Sequence, residues 1–407
     1  MIKQLFKIVW NRKRANFLIM LEVFISFLVV FSVMAFGVYF VDIYTYPLGF
    51  NYQDVWSVKI SRGAYNADED KAKQLEIAKQ LMQSAKDFPE VESIAGISTN
   101  VFDNSESMSS FNYAGKKHQP SVNFVTDDLV KVLDLKLLEG RWFSKEDDGE
   151  TTTPVVINQK LSQELFANES AIGKIIDMES KTTLYKVVGV VLDFRDDTEL
   201  VAPKSYMFIR NAVNNMPADS SKIDPMRIRF VNNFAIKLRP GTTAAFEEKL
   251  ARNFLSIAKD WSFNIQTLED LRNKKIKSIL SPVLAVAIVA VFLMIMVALG
   301  LSGVLWQNVT QRIKEIGLRR ANGATRGKIY YQILGELLVI TSIALTAGTI
   351  IVIQFPLLGF FDFVTAKVYV ITILLSCGII ALLTLICGLY PSSLAARIPP
   401  AEALHYE

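Results

Sequence analysis

Four long apolar stretches decide what this chain can fold into. Phe17–Val41 carries a single charge, Glu22, and as a helix rising about 1.5 Å per residue it extends about 37 Å. That length crosses a bilayer with some tilt. Pro282–Trp306 holds no charged residue, Ile333–Phe355 only Glu336, and Val368–Tyr390 none. The first stretch has a competing reading as a cleaved signal peptide, because basic residues precede it and Ala35 and Gly37 are small. Signal cores run only about 7 to 15 residues, so a retained span is expected. The chain is 51% hydrophobic with mean hydropathy +0.28, an apolar excess that these blocks account for. The expected fold is an α-helical membrane protein with four transmembrane helices, plus a mixed α/β extracytoplasmic domain between the first and second.

Short loops rich in Lys and Arg stay cytoplasmic during insertion. Lys3, Lys7, Arg12, Lys13 and Arg14 precede the first stretch, and Arg312, Lys314, Arg319, Arg320, Arg326 and Lys328 lie between the second and third against Glu315 alone. Both segments are expected inside. The expected order is therefore a cytoplasmic basic segment at 1–16, a first span at 17–41, an outer domain at 42–267 and a stalk at 268–281. A span at 282–306, a cytoplasmic connection at 307–332, a span at 333–355, an outer loop at 356–367, a span at 368–390 and a cytoplasmic tail at 391–407 follow. Arg272, Lys274, Lys275 and Lys277 pull the other way, but long translocated domains respond weakly to such charges.

The net charge of +4 is thus mainly a topology signal, and no basic groove with interleaved aromatics supports nucleic-acid binding. Cys377 and Cys387 fall inside the fourth stretch as small apolar residues, and the two histidines, His118 and His405, are too isolated for a zinc cluster or a catalytic triad. Glu22 and Glu336 lie within two turns of the cytoplasmic side. Pairing with nearby Arg or Lys, or reaching the headgroups, outweighs proton transfer for both.

Within the outer domain, Val55–Ile60 alternates as a strand, Asp68–Phe88 has helical spacing at Leu75, Ala78, Leu81 and Met82, and Val91–Thr99 returns as a strand. The same unit recurs at the far end: a strand at Phe234–Leu238, a turn at Pro240 and Gly241, a helix capped by Thr242 or Thr243 and running through Ala258, then a strand at Phe263–Leu268. Strands at Val122–Val125, Pro154–Ile157 and Tyr185–Leu192 form an inserted, β-rich middle. Leu268, Leu271, Ile276, Ile279 and Leu280 mark an amphipathic stalk that meets the second span at Pro282.

The segment Gln307–Tyr331 is helical on both sides of a short turn. Arg312, Glu315, Arg319, Asn322 and Arg326 form one polar stripe, with Glu315 and Arg319 ordered for an i,i+4 pair. Asn322 and Gly323 break the helix and Thr325 caps the next. By composition this is either a solvated basic linker or, with small residues at Gly317, Ala321 and Ala324, a helix suited to a partner's groove.

Glu315–Thr325 reads EIGLRRANGAT, which resembles the coupling motif of the FtsX/MacB family of ABC transporter permeases. The tail YPSSLAARIPPAEALHYE, Tyr390–Glu407, is similar to that family's C-terminal signature. LKLLEGRWFS at Leu135–Ser144, VVINQKLSQELF at Val155–Phe166, AIGKII at Ala171–Ile176 and VVGVVLDFR at Val187–Arg195 resemble the MacB-type periplasmic domain. The resemblance spans nearly the whole chain. It implies a porter-like part made of two strand-helix-strand units with an inserted strand-rich part. It also implies that Glu315, Ile316, Gly317, Leu318, Arg319, Arg320, Gly323, Ala324 and Thr325 couple to an ATPase. The sequence departs at Asn322, where the family commonly carries a hydrophobic residue, which bears on partner preference.

Further expectations follow from the resemblance. Two permeases pair, as copies or as paralogues, on a separate dimeric ABC ATPase, since residues 1–16 leave no room for a fused one. ATP is then bound by the partner, and this chain holds no cofactor, metal or catalytic site. Gly323–Lys328 is not a phosphate loop: three residues, not four, separate Gly323 from Gly327, and Ile329 follows Lys328. The expected role is mechanotransmission in a bacterial inner membrane, driving efflux of peptides, antibiotics or toxins, with a periplasmic adaptor, an outer-membrane channel and membrane lipid as further partners. Lipoprotein release and activation of cell-wall hydrolases are alternatives within the family; a membrane-anchored sensor or scaffold is one outside it.

Overall fold

The computed structural model describes residues 13–62, 71–103, 107–149, 152–167, 169–177, 184–211, 233–358 and 364–397. Most of the basic N-terminal segment and the Pro-Ala-Glu-Ala-Leu signature lie outside the described residues. The elements run α1 (Lys13–Tyr44), β1 (Val55–Arg62), α2 (Lys71–Lys86), β2 (Val91–Ile97), β3 (Phe111–Tyr113), β4 (Lys116–His118), β5 (Ser121–Val125), α3 (Leu129–Val132), β6 (Leu137–Gly140), β7 (Thr153–Asn158) and α4 (Gln159–Phe166). They continue with β8 (Ile175–Asp177), β9 (Leu184–Val191), β10 (Tyr206–Arg210), β11 (Asn233–Leu238), α5 (Ala245–Ile257), β12 (Trp261–Thr267), α6 (Leu268–Thr310), α7 (Ile313–Ala321), α8 (Arg326–Leu357) and α9 (Ala366–Arg397). Two units emerge: Met1–Asp42 with Ser281–Glu407, and Ile43–Leu280.

In the first unit α1, α6, α8 and α9 are long and apolar enough to cross a membrane. Their helices outrun the apolar stretches because flanking Lys, Arg, Glu and Leu are good helix formers. The stalk and second span are therefore one helix with Pro282 inside it, and the third helix begins at Arg326, within the expected connection. Ile19, Val23, Phe27 and Val30 repeat at helical spacing on α1 and are buried in one cluster with Ile333, Leu337, Ile340 and Ala344 of α8. Close approach uses small residues: a Cβ at Gly348 would overlap the Phe27 ring. Glu22 is half-buried, and a side chain at Gly300 would collide with its Oε1. Cys377 and Cys387 are free thiols packed against the same cluster.

The second unit is built on one ten-stranded sheet of order β12-β1-β11-β2-β5-β10-β7-β9-β6, with β8 also on β9. The two strand-helix-strand units interleave, since β11 lies antiparallel between β1 and β2 and β12 flanks β1. The inserted strands continue the same sheet, joined to β2 at Ile97–Val125 and by the amides of Ser98 and Thr126, which donate to the carbonyls of Phe124 and Gly96, both at 3.0 Å. Period-two alternation sends side chains to opposite layers. Ile94, Phe234 and Ile236 face α2 and α5 through Leu81, Leu250 and Phe254, and Val122, Val155, Val187 and Met207 face α4 through Leu161 and Leu165. The opposite layer is shared: Ala95, Ala235, Val125, Val156, Val188 and Phe208 pack with Trp142, Phe143, Phe194 and Leu268.

One expected cap is corrected. Ala244, not Thr242 or Thr243, precedes α5; the Thr242 hydroxyl instead donates to the Arg239 carbonyl at 2.7 Å, closing the turn. An ion cluster around the buried Arg210 and Asp147 reinforces the inserted half. Arg210, at the end of β10, donates to both oxygens of Asp127 and to Asp148, each at 2.7 Å. Those hydrogen bonds outweigh its desolvation and hold its pKa above the ordinary arginine value. Asp147 is fully buried and pairs with Arg141; burial alone would raise its carboxyl, but Arg141 and the Ser144 amide hold it below the usual range.

Candidate functional site

The connection between α6 and α8 begins where the Arg312 carbonyl accepts from the Ile316 amide at 2.9 Å, opening α7. Ile313 and Ile316 are buried, and Gly317 is buried beside them; Ile316 joins the cluster of Ile329, Ile333 and Leu337 on α8. Gly323 ends the helix at φ +88°, a left-handed conformation that costs any residue with a Cβ about 1–2 kcal/mol. Thr325 is extended, and its Oγ1 accepts from the Lys328 amide at 3.4 Å, starting α8. The short break thus follows directly from Asn322-Gly323-Ala324-Thr325.

Five side chains close a polar ring between α7 and α8. Arg312 Nη1 donates to Glu336 Oε2 at 2.6 Å, and Gln332 Nε2 donates to Glu336 Oε1 at 2.8 Å. Arg319 donates to Gln332 Oε1 and to Glu315 Oε1, both at 2.7 Å. The ring closes with Arg312 Nε 3.8 Å from Glu315 Oε2. Two guanidinium groups meet two carboxylates, so no net charge is buried. Such pairing offsets the cost of removing each ion from water, and losing one member leaves another stranded. Glu336, only 4% exposed, is thereby a structural partner of Arg312.

The other face of α7 is open. Lys314, Leu318, Ala321, Asn322, Gly323 and Thr325 are exposed, and Arg326, Lys328 and Tyr331 extend the surface onto α8. Leu318 is 54% and Tyr331 70% exposed, so two large apolar side chains sit among basic ones. Of the nine residues expected to couple, Leu318, Gly323 and Thr325 reach the surface and Ala324 does so partly. Glu315 and Arg319 turn into the ring, Ile316 and Gly317 into the core; the side chain of Arg320 is not among those described. The expected i,i+4 pair and the Thr325 cap are present. Gln332 and Tyr331 were missed, though Gln332 stands one turn before Glu336 on the same helix face.

These features define a multi-span membrane protein whose large outer domain and buttressed connecting helix belong to one chain. Its residues 16–253 match the model of the MacB-like periplasmic core domain, and residues 287–400 match the FtsX-like permease C-terminal region. The chain belongs to the MacB/FtsX family of ABC transporter permeases. It is 30% identical to the macrolide export ATP-binding/permease protein MacB of Bdellovibrio bacteriovorus, over 66% of this chain and 41% of that protein. It thus spans less than half of that relative. With the ABC transporter permease YknZ of Bacillus subtilis it shares 26% identity over 84% of this chain and 83% of that one. The crystal structure of the periplasmic region of MacB from Actinobacillus actinomycetemcomitans covers 55% of this chain and 93% of its own, at 15% identity and a TM-score of 0.39.

Proposed function

We propose that this chain couples ATP hydrolysis by a separate cytoplasmic ABC ATPase to a change of shape in its outer domain. The observation carrying this reading is the exposed face of α7: Leu318 and Tyr331 among Lys314, Arg326 and Lys328, held against α8 by the ring. An apolar centre with a charged surround is the composition of a protein–protein contact. In this reading residues 1–16, the connection and the tail face the cytoplasm. ATPase closure shifts α7; the ring passes that shift to α8; and α6, whose backbone is helical from Leu268 to Thr310, carries displacement outward. Two permease chains serve one ATPase dimer. The cargo class is peptides, antibiotics or toxins, consistent with the export named for the MacB relatives, and an adaptor and outer-membrane channel complete the route in a two-membrane cell.

Co-purification with the ATPase in nanodiscs tests the proposal. Leu318→Asp is expected to abolish complex formation and permease-dependent ATP hydrolysis while leaving the permease folded. A stable, fully active complex with Leu318→Asp overturns the docking role, and failure to bind any ABC ATPase overturns the coupling itself.

A further inference from the structure

The irregular segment Asp193–Lys204, between β9 and β10, touches both stretches of chain that lead towards the membrane helices. Its ends are bolted to the inserted half of the sheet. Asn158 Nδ2 donates to Asp193 Oδ1 at 3.0 Å and to the Lys204 carbonyl at 2.7 Å, and the Lys160 amide donates to Asp193 Oδ1 at 2.8 Å. Phe194 is buried in the shared core layer.

From that base the segment grips the chain leaving α1. Arg195, 3% exposed, donates through Nη1 to the carbonyls of Ile43 and Tyr46, at 3.1 and 2.6 Å. Its amide donates to the Leu48 carbonyl at 3.0 Å. A cation at the last carbonyls of a helix is favourable, because they have no partners of their own. Gly49 sits so close to the Asp193 carbonyl that a Cβ there would overlap it.

The same segment grips the first turns of α6. Glu199 accepts from Arg272 Nη2 at 2.7 Å and Nε at 2.8 Å, while Asp197 pairs with Lys275 at 3.0 Å and with Lys204. Glu199 and Asp197 are each 13% exposed, so these pairs escape most of the solvent screening that weakens surface ion pairs. Arg272 also lies over the Tyr52 ring, 5.0 Å from its centroid, which brings the α1 side and the α6 side to one guanidinium. The basic cluster that opposed the topology signal has its use here: Arg272 and Lys275 are the docking points for two acids of this segment.

We infer that Asp193–Lys204 is the yoke through which displacement of α6 enters the inserted half of the outer domain, with Arg195, Asp197 and Glu199 as its positioning residues. The inference rests on the coupling function proposed above and names the element that receives the motion. Leu268 and Leu271 seat the start of α6 against the shared core layer by apolar packing, which resists sliding weakly because it is non-directional. The yoke adds directional ion pairs that tie α6 to the segment between β9 and β10, across the sheet.

The test uses the full permease with its ATPase subunit in nanodiscs, reading ATP hydrolysis and the ATP-dependent change in amide hydrogen exchange of β7, β9 and β10. Glu199→Arg is expected to keep hydrolysis and to reduce the exchange change about fivefold or more; the swap Glu199→Arg with Arg272→Glu restores it. If Glu199→Arg does not fold, Arg272→Met removes the charge while keeping an apolar stem over Tyr52, with the same loss expected. An exchange change that persists in Glu199→Arg or Arg272→Met overturns the yoke and leaves the coupling function standing. The absence of any ATP-dependent exchange change in the unaltered complex overturns the coupling function, and the yoke with it.

Discussion

Arg210 is a cation at 4% side-chain exposure with three charge-assisted hydrogen bonds, so its removal takes a hydrogen-bond partner from the half-exposed carboxylates of Asp127 and Asp148. Arg210→Ala is expected to destabilise the outer domain by about 1–3 kcal/mol, read as a lowered thermal unfolding midpoint by fluorescence of the nearby Trp142. Acid has a related effect. Asp147 and Asp197 are both held below the ordinary carboxylate range against their burial, Asp147 by Arg141 and Asp197 by Lys204 and Lys275. A depressed carboxyl contributes stability that is complete above its unfolded pKa of about 4 and is lost as pH falls through its folded value. Burial lifts Asp193 in the opposite sense; the contribution of Asp147 and Asp197 is expected to be lost below about pH 4, and Asp147→Asn, which removes one of them, is expected to flatten the fall of the unfolding midpoint there. Local pairs were legible in the sequence because helix geometry fixes them: Glu315 and Arg319 stand one turn apart. Glu336 was legible as a paired carboxylate, but its partner Arg312 comes from another helix junction, and nothing in the spacing pointed to it. The cap expected at Thr242 or Thr243 is absent because Ala244, already in a helical conformation and without a side-chain acceptor, occupies the capping position of α5.

At the scale of elements, α7 is a nine-residue helix, too short to be stable alone in water. Its position depends on Ile313, Ile316 and the ring. Glu336→Gln leaves Arg312 short of a buried counter-charge and is expected to loosen α7, raising its amide exchange while α8 stays protected. Gly323→Val combines a Cβ with positive φ and is expected to cost about 1–2 kcal/mol locally and to lower ATPase affinity, measured by titration of the purified subunit. Strands and helices of the outer unit were legible because period-two and period-3.6 patterns are local. The sheet order was not, since β11 inserts between β1 and β2 and no local pattern records which partner a strand will find. Fusion of the inserted strands into the same sheet was equally hidden: it rests on a short β2–β5 junction around Ile97 and Val125.

For the whole molecule, four spans and one outer domain were readable from hydropathy, because a bilayer forces each crossing to be long, apolar and self-satisfied in its hydrogen bonds. The orientation proposed from the basic segments predicts that Lys314→Cys, on the exposed face of α7, is labelled by a membrane-impermeant maleimide only from the cytoplasmic side. Labelling from outside reverses the topology.

The position of β11 between β1 and β2 also sets an order of assembly. β5, β6, β7, β9 and β10 all lie within residues 121–210, so their pairings become possible as soon as that stretch has been synthesised. β1, and the side of β2 away from β5, must wait for Asn233–Leu238, their common neighbour. The half of the domain encoded first is therefore the half finished last. A chain truncated at Asn211 should protect β7 and β9 from exchange while leaving β1 and the β11 side of β2 open, and until β11 arrives those two edges are the molecule's exposure to mispairing.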